Sequence, residues 1–167
     1  MRDDNTLEIL KSAILLERRG KAFYANVAEG AEDPAVKEFF AMMADEEAQH
    51  AAILGRQFSA YLKDQKFSAG SFDGASASAV SSRILTEDIK NKISAAGFEA
   101  AAISAAMAME AEAVKLYAAR AQQTDDPEEQ ALYRWLADWE SGHLDFLAQI
   151  DRDLKQSVWA DNQFWPF

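Results

Sequence analysis

The sequence predicts an all-α fold: a four-helix bundle of two pseudo-symmetric helical hairpins, with one long crossover between the second and third helices. Three observations carry this reading. Apolar residues recur at three- and four-residue intervals over long stretches, two Asp-Pro pairs restart a helix at matching places, and the second half of the chain repeats the first at an offset of 93 residues. Between Glu17–Leu54 and Glu110–Leu147, 11 of 38 positions are identical without a gap.

Leu7, Leu10, Ile14, Phe23 and Val27 mark the apolar stripe of helix one, which runs into Gly30. Asp33 then caps a second helix, with Pro34 at the first helical position, where its missing N–H costs no bond. This helix continues to about Leu62. From Asp64 to Ser82 the stretch DQKFSAGSFDGASASAVSS is too rich in Ser, Gly and Ala to pack densely, so it reads as connection. The whole crossover covers about residues 64–95, with room for a short helix near Thr86 to Lys92. Helix three occupies about Phe98 to Gln123. Asp126-Pro127 repeats the restart, and helix four follows from Pro127 to about Gln156. The bundle thus takes up residues 1–157 as one domain. Residues 158–167 form an aromatic tail, whose Trp159, Phe164, Trp165 and Phe167 are expected to cover a core end or a partner subunit.

Composition narrows the chemistry. A net charge of −11 argues against nucleic acid and anionic membrane surfaces, and suits cations. Cysteine is absent, which removes disulfides, thiol catalysis and cysteine-held metals together, so any metal must be held by oxygen and imidazole. The N-terminus has acids where a secretory signal needs positive charge, and no apolar run is long enough to cross a bilayer. The expectation is a soluble, cytoplasmic protein.

The two histidines supply the sharpest signal. His50 follows Glu47 by three residues and His143 follows Glu140 by three, so every histidine belongs to a Glu-x-x-His unit, and both units fall at repeat-equivalent positions. On a helix this spacing puts the two side chains on one face, about 5–6 Å apart. Glu17 and Glu110 also correspond across the repeat. Glu17 lies about 15 residues before the first hairpin turn and Glu47 about 15 after it, so at about 1.5 Å per residue both stand roughly 22 Å from the hairpin end. Glu110 and Glu140 flank the second turn in the same way. A crossover spanning the bundle sets the second hairpin upside down against the first, and the four carboxylates and two imidazoles then meet at mid-length. Glutamates in a core are costly unless paired or metal-bound. Two divalent cations would balance the four carboxylates with two neutral histidines, and the mixed donor set suits iron or manganese, with zinc also fitting.

One Glu from each of two helices and Glu-x-x-His from each of the others resembles the di-iron and di-manganese carboxylate bundles. Residues 5 to about 155 resemble the ferritin-like superfamily and, through the Glu17 to Tyr24 spacing and the repeated Glu-x-x-His, the rubrerythrin family. The resemblance implies a pair of iron ions, bridged by Glu47 and Glu140 and bound terminally by Glu17 and Glu110, with His50 and His143 completing the set. It implies an oxidoreductase reducing hydrogen peroxide or O₂, with electrons from an external donor such as a rubredoxin-like or flavin protein, and a homodimer that domain swapping could build. Two features depart from the family pattern. Ala113 stands where rubrerythrins usually carry a further glutamate, and a chain without cysteine has no rubredoxin domain. The alternative is an iron-binding or iron-handling protein without turnover, or a structural zinc site.

The remaining residues near this set divide by helical angle. Tyr24 and Tyr117, seven residues after Glu17 and Glu110, share their face and fit either as hydrogen-bond donors to a carboxylate ligand or as amphipathic core residues. Asp45 and Asp138 read as solvated positions. Glu46 and Glu112 neighbour ligand positions but point about 100° or 200° away, and are placed outside the site.

Overall fold

The computed structural model describes residues 4–70, 87–93 and 97–160, and among them there are five helices and no strand. Helix α1 spans Asp4–Gly30 and α2 Pro34–Asp64. The short α3 is Glu87–Lys92, α4 is Phe98–Gln123 and α5 is Pro127–Ala160. The four long helices form the expected bundle. Most of the crossover, including residues 71–86, lies outside the described residues, as do Phe164, Trp165 and Phe167 of the aromatic tail. Helix α5 continues to Ala160, so Trp159 belongs to it and is 59% exposed there. No helix among the described residues is long and apolar enough to cross a membrane.

Both hairpin turns are fixed by the same device. Asp33 Oδ1 accepts from the backbone N–H of Ala35 (2.8 Å) and of Val36 (3.3 Å), and Asp126 Oδ1 accepts from Glu128 (2.9 Å) and Glu129 (3.0 Å). Each carboxylate satisfies donors that the first helical turn leaves unpaired. Replacing Asp33 by alanine is therefore expected to lower stability by about 1 kcal/mol, read as a shift of the urea midpoint without a change of slope. Helix α2 ends at Gln65, the one described non-glycine residue with positive φ (53°), whose N–H bonds Tyr61 O at 2.9 Å. The chain then turns back along α2, where Gln57 exchanges two hydrogen bonds with the Ser68 backbone and Phe67 packs on Tyr61.

Each hairpin packs along its own length, α1 on α2 and α4 on α5. The apolar core falls into two clusters, and their membership fixes how the hairpins meet. One joins Val27 and Val36 beside the first turn to Ala102 and Ile103 at the start of α4 and to Ile150 and Leu154 late in α5. The other joins Leu132 and Ala121 beside the second turn to Leu10 near the start of α1 and Leu54 and Tyr61 late in α2. The hairpins are thus inverted relative to one another. Ile89 and Ile93 of the α3 segment seal the first cluster. At the second turn, Arg120 bonds Glu129 through Nε (2.7 Å) and Nη2 (2.9 Å) and reaches Thr6. The repeat-equivalent positions in the first half are Val27 and Val36. Between the two apolar clusters lies a belt of buried polar side chains.

Candidate metal centre

That belt consists of Glu17, Glu47, His50, Glu110, Glu140 and His143, each at most 3% exposed. The structure brings all six together. Glu17, Glu47, His50 and Glu140 each offer one donor atom within 4.8 Å of the others, and Glu47, Glu110, Glu140 and His143 form a second such set. The two sets share Glu47 and Glu140. Both follow from sequence position: inversion of two hairpins with equal arm lengths puts Glu17 and Glu110 at one height with the two Glu-x-x-His units.

The donor set fits a pair of cations better than it fits itself. Glu17 Oε2, Glu47 Oε1, His50 Nδ1 and Glu140 Oε1 are buried without a hydrogen bond. They are nevertheless close, with His50 Nδ1 2.8 Å from Glu140 Oε1 and 3.4 Å from Glu17 Oε2. Short distances without hydrogen-bond alignment mean that the lone pairs face a shared space instead of one another. His143 Nδ1 differs in that it hydrogen-bonds Glu140 Oε2 at 3.1 Å, while Glu47 and Glu110 stand 3.6 and 3.7 Å from it. Buried carboxylates left in this state cost several kcal/mol each, which bound cations would offset. Gly20 supports the crowding, since a Cβ there would stand 3.1 Å from Glu47 Oε2.

Tyr24 and Tyr117 do bond carboxylates of the belt, but across the hairpins. The Tyr24 hydroxyl donates to Glu110 Oε1 and the Tyr117 hydroxyl to Glu17 Oε1. Each is fully buried and stacks on an aromatic ring of its own hairpin, Tyr24 on Phe40 and Tyr117 on Tyr133. Asp45 and Asp138 are exposed, as expected, and so is Glu112.

Glu46 corrects the sequence reading. It is 6% exposed and its Oε2 bonds His143 Nε2, so it belongs to the site. A side chain about 100° from Glu47 on α2 does not face solvent, because α5 lies on that side. Trp139 Nε1 donates to the same Glu46 oxygen at 3.3 Å and lies 3.1 Å from His143 Nε2. With the Glu46 carboxylate against Nε2, we assign the proton of the neutral ring to that nitrogen, so that Nδ1 would offer its lone pair to a bound cation. The repeat breaks here, because the residue equivalent to Glu46 is Trp139 itself. His50 accordingly lies edge-on against both Trp135 and Trp139, with centroids at 5.5 and 5.4 Å. The two halves of the belt thus have different outer supports. Glu46→Ala is expected to weaken one metal of a bound pair by about 10–100-fold and the other less, resolved as two steps in a calorimetric titration, while Glu46→Gln keeps an acceptor for Nε2–H and loses less.

Charge in the belt is strongly redistributed. Burial pushes the Glu47 carboxyl well above its ordinary range, aided by the charges of Glu140, Glu17 and Glu110. Burial also pushes Glu110 up to about 7, against the pull of His143. Glu140 goes the other way: burial would raise it, but His143 and His50 hold it below the ordinary carboxylate range. Burial opposes the charged form of His50, yet Glu140 and Glu17 outweigh it and raise the group to about 9. His143 is likewise raised against burial, by Glu110, Glu140 and Glu46. Tyr24 and Tyr117 are raised well above 10.0, chiefly by burial and then by their carboxylate partners, so both remain proton-bearing donors at neutral pH.

Inverted helical hairpins closing on a mid-bundle belt of carboxylates and imidazoles define the ferritin-like class of four-helix bundles. Within that class the chain belongs to the rubrerythrin family: the family model described as Rubrerythrin matches residues 8–151. Comparison with curated proteins and with solved structures gives no match.

Proposed function

We propose that this protein holds a pair of iron ions and reduces hydrogen peroxide or O₂ with electrons from an external donor. The observation that carries the reading is the pair of overlapping four-donor sets, because shared Glu47 and Glu140 are what two neighbouring cations need as bridges. Glu17 and Glu110 would each serve one ion, and His50 and His143 would offer Nδ1. Four carboxylates against two divalent cations leave no net charge in the core. An iron pair, when bound, supplies the two electrons that cleave an O–O bond.

The chain's own residues do the rest. Tyr117 and Tyr24 hold the terminal carboxylates in place with O–H donors too weakly acidic to lose their protons. Glu46 fixes the orientation of His143. Trp135 and Trp139 pack against His50, which limits water on the α2–α5 side. Carboxylates that accept protons when uncompensated and release them to bind cations suit a site whose charge changes with oxidation state. These 167 residues hold no cysteine for a thiolate-held iron, and the donor in this reading is an external rubredoxin-like or flavin protein.

A second reading, iron binding without turnover, draws on Ala113, which is buried at 2% exposure and puts no further carboxylate beside Glu110. Stopped-flow mixing of the anaerobic ferrous protein with hydrogen peroxide separates the two. The enzyme reading requires oxidation of the site within seconds by about one peroxide per iron pair, and sustained consumption only when a donor is added. A ferrous site that survives minutes of excess peroxide leaves the binding-protein reading in its place.

A further inference from the structure

The belt is closed unequally on its two open sides. Between α2 and α5, Trp135 and Trp139 pack against His50. Between α1 and α4 there is instead a cleft of about 550 Å³ with Glu47 and Glu110 in its lining. Four repeat-equivalent pairs, Leu15 with Ala108, Leu16 with Met109, Arg19 with Glu112 and Gly20 with Ala113, contribute to its lining, so it lies astride the pseudo-symmetry of the two hairpins. The equivalent pair Gly20 and Ala113 opens it next to the carboxylates, since neither has a side chain beyond Cβ. The walls are apolar: Leu15, Leu16, Met109 and Leu116. Leu15 is 48% exposed, and the other three are half-buried. Another equivalent pair, Arg19 and Glu112, adds one charge of each sign, so that with Glu47 and Glu110 at the centre the lining has no surplus of positive charge to favour an anionic guest.

Hydrogen peroxide is little larger than a water molecule, whose share of liquid volume is about 30 Å³. The cleft exceeds that need more than tenfold and falls in the range, about 300–1,000 Å³, that takes organic ligands. From this cleft we propose, on the foundation of the peroxide-reducing reading above, that the substrates include uncharged organic hydroperoxides. The apolar body lies among Leu15, Leu16, Met109 and Leu116, and the hydroperoxide group reaches the Glu47–Glu110 edge of the centre. The step balances as ROOH + 2 e⁻ + 2 H⁺ → ROH + H₂O: the O–O bond breaks, the iron pair is oxidised by two electrons, and solvent supplies both protons. The alcohol leaves by the same cleft.

Two measurements test this. In the first, the zinc-loaded full chain carries ¹³C-methyl methionine and is titrated with 2-phenyl-2-propanol, the alcohol product of cumene hydroperoxide. The Met109 methyl signal should shift, and that of Met43, fully buried in the first apolar cluster, should not. In the second, the anaerobic ferrous protein is mixed with cumene hydroperoxide or hydrogen peroxide, and the ratio of the two rate constants is followed in variants. Ala108→Trp fills the cleft from an exposed position and Leu116→Glu charges its wall. Each should abolish the Met109 shift and lower the ratio of organic to hydrogen peroxide reactivity by about 10–100-fold. An unmoved Met109 signal overturns the proposal, including the case in which a second copy of the chain covers the cleft. So does a ratio that neither variant changes. If hydrogen peroxide oxidises the site and cumene hydroperoxide does not, this inference alone falls, whereas failure of both peroxides removes the peroxidase reading with it.

Discussion

Glu47→Gln and Glu140→Gln are expected to change the stability of the metal-free protein in opposite directions, although the two residues are repeat equivalents and both variants lose the metal pair. Glu47 is a buried carboxyl pushed upward by burial and by three neighbouring glutamates, so replacing it with a neutral side chain of the same shape removes repulsion. The metal-free Glu47→Gln protein should therefore unfold at a higher urea concentration than the parent at pH 7. Glu140 instead lies between the two histidines, 2.8 Å from His50 Nδ1 and 3.1 Å from His143 Nδ1. Its loss leaves the imidazoles without their shared anion, and breaking a buried pair from one side costs about 3–5 kcal/mol. Urea unfolding in the presence of a chelator gives both signs. With metal present, each variant should bind at most one cation per chain, because each has lost a bridge. Equal shifts of the two variants in the same direction would contradict this assignment of charge.

The stability of the metal-free protein should fall as pH rises from about 5 to about 9, while that of the metal-loaded protein should not. Glu110 has its folded value at about 7 against 4.5 for the free group. The folded chain therefore holds the extra proton between those values, and stability is lost as pH rises through that window and then levels off. His50 lies at about 9 against 6.5, so its contribution is present below about 6.5 and disappears as pH rises through 9. Each displacement is about 2.5 units, 7 less 4.5 and 9 less 6.5, or on the order of 3 kcal/mol. Glu140 acts oppositely, its contribution being lost only on acidification below the ordinary carboxylate range. Metal binding needs ionised carboxylates and neutral imidazoles, so it strengthens with rising pH. The gap between loaded and metal-free unfolding midpoints at pH 5, 7 and 9 should widen in that order. Parallel curves would mean that the belt does not hold the metal.

What could be read from the sequence was whatever depends on one helix or on the repeat. Helix limits followed from the Asp33-Pro34 and Asp126-Pro127 caps, and the six belt residues from the Glu-x-x-His spacing and equal arm lengths. What depends on which helix lies beside which was not legible. Glu46 was set aside on angle alone, yet α5 occupies the direction it points in. The signal available was the break in the repeat, where Glu46 in one half faces Trp139 in the other. Tyr24 and Tyr117 were recognised as candidates, but their exchange of partners required the inverted packing in atomic detail. The cleft was hidden because it lies between α1 and α4, which are far apart in sequence; small residues at both equivalent positions, Gly20 and Ala113, were its only trace. Helix α5 outran its expected end because nothing after Gln156 stops a helix before Pro166.

The central claim is that six residues from four helices hold two metal ions in one buried site. Its most direct test is equilibrium titration of the metal-free protein with ferrous iron under anaerobic conditions, followed by Mössbauer spectroscopy of ⁵⁷Fe after oxidation. The expected result is two ions per chain and, once oxidised, an antiferromagnetically coupled ferric pair with no magnetic signal from isolated ferric ions. Binding of a single ion, or of two ions that remain magnetically isolated, would contradict it.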